Sequence, residues 1–107
     1  MNPDEAEIQA LKKAVAQVKE FIESTEAASG VDDLIITAVT DYGDLWWFSW
    51  NNAWPLLGQP HLEYPDCHPI AVFKSDARLV QVVRAYSDWI ESGMDGALAL
   101  ARVLAGR

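Results

Sequence analysis

The imidazole and thiol groups of this chain all fall in one proline-rich stretch, at His61, Cys67 and His68. A structural zinc site wants four ligands in closely spaced pairs. The H-x5-C-H spacing here lacks that pairing, and a fourth ligand would have to be Glu63 or Asp66. Cys67 with His68 or His61 resembles a thiolate pair only on paper. Adjacent side chains diverge, and no lysine or arginine stands near in sequence to lower the thiol pKa. The stretch Asp66-Cys67-His68-Pro69 reads more simply as a tight lead-in to a strand. Asp32, Asp33, Asp41 and Asp44 flank one hairpin. Two carboxylates buried together can share a proton for acid–base work. At strand ends they are solvated instead, and such a cluster suits docking of Lys and Arg side chains. Gly43, Gly58, Gly93 and Gly96 match no phosphate-binding fingerprint. The chain therefore predicts no catalytic residues, no metal and no cofactor.

The anomaly that survives is tryptophan, with five in 107 residues and two adjacent, Trp46 and Trp47. The stretch from Leu45 to Asn52 alternates as a strand does. Trp46, Phe48 and Trp50 share one face, and Leu45, Trp47, Ser49 and Asn51 share the other. A core covered on one side can take only one of the adjacent pair. The other must be exposed, covered by the following loop, or held for a partner, and tryptophan is enriched at interface hot spots. The predicted partner surface is Asp41, Asp44, Trp47, Asn51, Asn52 and Trp54.

The elements that must position these residues follow from pattern. Residues 3 to about 28 predict a helix: Asn2 caps it, Pro3 suits its first position, and Glu5 completes a capping box. Ile8, Leu11, Ala14, Val15, Val18, Phe21 and Ile22 form its buried stripe, and Gly30 stops it. Residues 34–40, rich in β-branched side chains, predict a strand. Asp41-Tyr42-Gly43-Asp44 turns it back into the aromatic strand. Residues 51–69, with four prolines, predict a long irregular connection. Residues 69–74 and 78–83 predict a second hairpin. Helical segments follow from Ser87 and, capped by Asp95, over Ala97–Ala105. Locally connected strands make an antiparallel sheet, so the expected fold is a single α+β domain over residues 1–107. An N-terminal helix packs on a four-stranded sheet, with the C-terminal helical segments on that same face.

The totals narrow the partners. Eight basic residues stand against sixteen acidic ones, a net charge of −8. That disfavours a nucleic-acid backbone or an anionic membrane surface and is compatible with a basic protein. A lone cysteine permits no internal disulfide. No apolar run reaches the length of a membrane span, and the acidic N-terminus lacks the features of a signal peptide, so a cytoplasmic protein is expected.

The order of motifs over roughly residues 6 to 85 resembles the YrhB-like domain family. The residues that carry the likeness are Asp33–Val39, the aromatic strand Leu45–Asn52, Leu57-Gly58 in a loop, and Pro69–Lys74 leading into a turn. That turn reads Ser75-Asp76-Ala77, without the family's glycine. The family is associated with immunity proteins of bacterial toxin systems. The resemblance implies a small non-enzymatic protein that binds and blocks a cognate toxin. Two other readings stay open. One is a ligand-binding or enzymatic domain with a pocket under residues 54–68; the other is a homodimer that buries its aromatic strand.

Overall fold

The computed structural model describes residues 3–30, 33–52, 67–84 and 86–107. Its elements run α1 (Pro3–Ser29), β1 (Leu34–Asp41), β2 (Leu45–Asn52), β3 (Ile70–Phe73), β4 (Leu79–Gln81) and α2 (Tyr86–Leu104). The four strands form one antiparallel sheet in the order β1-β2-β3-β4. The expected α+β fold is therefore present, with each strand beside its neighbour in sequence.

Both hairpins turn at the same end of the sheet, and each turn is closed by specific groups. In the first, Gly43 takes a φ of 90° and donates its N–H to Asp41 Oδ1 at 2.8 Å. The Tyr42 N–H donates to the Leu45 carbonyl at 3.0 Å. In the second, Ala77 occupies the left-handed region at φ 58°, a position where glycine would be unstrained. Its N–H donates to the Phe73 carbonyl at 2.9 Å, and its carbonyl accepts Gln17 Nε2 of α1 at 2.9 Å.

The sheet is covered on both faces, which corrects the expectation of helices gathered on one. Trp46, Phe48 and Trp50 bury beneath α1 with Ala14, Val18, Ile22, Ile70 and Val72. Leu45, Trp47, Ala71, Phe73 and Val82 bury beneath α2. The buried side of α2 carries Ala97 and Ala101 at helical four-residue spacing, with Ala105 following just past its end, so small side chains let the backbone come close to the sheet. Alternation within β2 thus has a core on each side of it, and adjacent Trp46 and Trp47 serve different cores.

The buried stripe of α1 stops short of the expected length. Ala14, Val18 and Ile22 are buried and Leu11 and Val15 partly so, whereas Ile8 is 52% exposed. As expected, the C-terminal helix is interrupted: α2 is two helical segments that meet at a sharp kink at Gly93 (φ 57°, ψ −150°), and Asp95 lies in the first turn after the kink, two residues past the break. Among the described residues no helix is long and apolar enough to cross a membrane.

Candidate functional site

Of the six residues predicted as a partner surface, the five that are described do not share one. Trp47 is 5% exposed, and its ring meets Trp89 of α2 edge-on at 6.3 Å between centroids. It is a core residue because α2 covers the face on which exposure was expected. Asn52 is also buried. It lies on the α1 side with Trp50, while Asn51 is half-buried on the opposite side. The Asn52 N–H donates to Asn51 Oδ1 at 2.8 Å, which ties the strand end locally. Trp54 and His61 lie outside the described residues, as does nearly all of the 54–68 stretch under which a pocket was expected.

The acidic end of the sheet survives, with its charges matched from within. Asp44 takes a bidentate contact from Arg102 of α2, at 2.9 and 3.0 Å. Asp76 pairs with Arg107 at 2.5 Å, and that guanidinium also lies 4.2 Å above the Phe73 ring. Asp41 accepts Lys74 Nζ at 2.8 and 2.9 Å. Lys74 reaches Glu7 of α1 at 3.2 Å as well and sits 5.0 Å over the Trp46 ring. These hydrogen bonds hold the three aspartates below their ordinary pKa. The Lys74 contact leads for Asp41, the Arg102 contact for Asp44 and the Arg107 contact for Asp76. Lys74 is raised in turn, first by Asp41.

Beside that network, the first turns of α1 and the end of β1 enclose a cleft of about 350 Å³. Its lining is Asp4, Glu7, Ile8, Leu11, Val39, Asp41 and Trp46. The geometry follows from two periodicities. Asp4, Ile8 and Leu11 fall on one face of α1 at spacings of four and three. A bulge between Ile36 and Ala38 shifts β1 by one residue, so Val39 sits opposite Phe48 and Asp41 opposite Trp46, on the α1 side. Apolar Ile8 and Val39 are exposed here at 52% and 41%, and three carboxylates stand around them. Lys74 is the single cation in contact with any of the three among the described residues.

Sequence reasoning found Asp41 but missed Asp4, Glu7 and Trp46 as its companions. The signal for α1 was available in the Asp4–Ile8–Leu11 spacing. The β1 half depended on the bulge, and Leu34–Asp41 has no glycine to announce one. A second cleft, of about 380 Å³, lies across Trp46 between α1 and β3 and is lined by Lys13, Gln17 and Lys74 among others. Gln17 Oε1 is buried there without a hydrogen-bond partner among the described residues. Among the described residues no group of His, Cys, Asp and Glu is placed to hold a metal ion. His68 acts through its carbonyl, which accepts Trp50 Nε1 at 2.6 Å. Half-buried Cys67 packs against the first core.

An apolar floor with a carboxylate rim can take a cationic side chain together with its hydrocarbon stem. Comparison of the chain with family models, curated proteins and solved structures gives no match.

Proposed function

We propose that this chain is a non-enzymatic protein-binding module whose working surface is the acidic cleft between α1 and β1 and whose partner is a basic protein. One observation carries this reading: exposed Ile8 and Val39 stand among Asp4, Glu7 and Asp41 in a cleft that Trp46 also lines. Lone exposed apolar side chains are ordinary, but apolar area ringed by one sign of charge suits recognition. The excess of acidic residues over the whole chain would steer a basic partner toward it. Toxin neutralisation, the role implied by the likeness to immunity proteins, is one form such binding can take.

Capture from host lysate on immobilised wild type, beside a doubly reversed variant (Asp4→Lys with Glu7→Lys), tests this. Both positions are exposed, so circular dichroism should show an intact fold. A basic protein held by wild type should bind the variant at least about tenfold more weakly, and its affinity should fall as salt rises. Glu91→Lys with Asp95→Lys, both exposed on α2, changes the net charge by the same amount and is the control for net charge alone. Equal capture by all three proteins would remove the cleft from the reading.

A further inference from the structure

The mode of binding can be taken a step further, resting on the reading of the cleft as a site for a basic partner. We propose that β1 receives the partner as an added strand, an extended segment carrying Lys or Arg at both ends of the paired stretch. Among the described residues β1 is an outer strand of the sheet and spans eight residues, whereas the opposite edge, β4, spans three. Natural edge strands are guarded by lysine, by proline, by a bulge or by being short, and of these β1 has the bulge at Thr37. Leu34–Asp41 has neither lysine nor proline, and Ile35 and Val39 are exposed at 38% and 41%.

Charge selects the occupant. One end of β1 opens onto the cleft of Asp4, Glu7 and Asp41. The other end opens onto a separate cleft of about 410 Å³, lined by Glu23 and Glu26 together with Lys19 and the apolar Ile22, Leu34, Ile35 and Ile36. α1 runs along this edge and supplies acids at both ends. A strand laid beside β1 would present alternate side chains to α1, about 7 Å apart. Cations about four to six residues apart would then reach both clefts, with β-branched or apolar residues between them. A second copy fits poorly. It would bring the same carboxylate-lined edge against itself, in a chain of net charge −8.

The test uses the full chain labelled with nitrogen-15 and two short peptides of alternating threonine and valine, one ending in lysine at both ends and one in glutamate. The lysine peptide should slow hydrogen exchange of amides within residues 34–41 by about tenfold or more, and the glutamate peptide should not. Thr37→Pro should abolish the protection. Thr37 is the bulge residue and has no partner across from it in β2, so the substitution removes no register pair. Should that variant fail to fold, Asp4→Lys with Glu26→Lys leaves the β1 backbone untouched and should weaken the same protection about tenfold. Four results would overturn the proposal. If the lysine peptide shifts cleft resonances without protecting β1, a basic ligand binds but adds no strand, and the function proposed above stands. Equal protection by both peptides would refute selection by charge. Protection of β1 without peptide, growing with protein concentration alongside a dimer in light scattering, would make the occupant a second copy. No response anywhere would sink both the strand mode and the cleft.

Discussion

Trp47 shows how one side chain changes meaning with what lies above it. Buried between β2 and α2 and set edge-on against Trp89, it stabilises the fold whether or not a partner is present. Trp47→Ala should lower unfolding free energy by roughly 3–5 kcal/mol, as expected for a large aromatic removed from a packed core. That is a large share of the roughly 5–15 kcal/mol typical of a domain. Urea denaturation measures it. A variant as stable as wild type would place Trp47 at a surface after all. Period-two alternation was enough to separate Trp46 from Trp47, and the grouping of Trp46, Phe48 and Trp50 on one face holds. What alternation does not encode is whether the second face has its own cover. Asp41 was legible as a charged turn residue. Trp46 faces it across the hairpin, but its ion-pair partner Lys74, and Glu7 which shares that lysine, were not legible, because they come from elements distant in sequence.

At the scale of elements, α2 was readable as an apolar helical pattern but not as the second layer. Ala97, Leu98, Ala101 and Ala105 mark a buried face without stating which face of the sheet they meet, and the link from β4 is short enough to lead either way. The kink at Gly93 decides how α2 lies. Arg84 holds it, with Nη1 donating to the Gly93 carbonyl at 3.0 Å and Nη2 to the Asp88 carbonyl at 2.7 Å. The same guanidinium contacts Ser92 Oγ and lies 4.7 Å from the centre of the Trp89 ring. A Cβ on Gly93 would meet nothing within 4 Å, so any penalty there is in the backbone. Its φ of 57° with ψ of −150° is a region that only glycine occupies without strain. Gly93→Ala should therefore cost about 1–3 kcal/mol of stability in urea denaturation. It should also perturb the near-ultraviolet signal of Trp89, since α2 must re-aim to relieve the strain. An unchanged midpoint would mean that the kink is not fixed by this residue.

Over the whole molecule, the excess of acid has two parts that respond differently to pH. Asp41, Asp44 and Asp76 are paired at the turn end of the sheet, and each titrates below the ordinary aspartate value of 3.8. A carboxylate whose folded pKa is depressed binds fewer protons than its unfolded counterpart. Its contribution to stability is complete above the unfolded value and disappears as pH falls through the folded one. The remaining acids repel one another at neutral pH, and their protonation acts in the opposite direction. Comparing wild type with Asp44→Asn separates the two effects, because self-repulsion changes little between them while the Arg102 pair is lost. The pair is largely exposed, with side chains at 45% and 40%, so its contribution is no more than about 1 kcal/mol. Urea midpoints should show wild type ahead at pH 7. The gap should persist down to the ordinary aspartate value of 3.8 and then close as pH drops further through the depressed folded value of Asp44. Raising ionic strength to about 1 M should narrow the gap at pH 7, since screening then acts over about 3 Å. A gap independent of both pH and salt would mean that Asp44 acts through the shape of its turn and not through its charge. The acidic end of the sheet would then owe its order to packing alone.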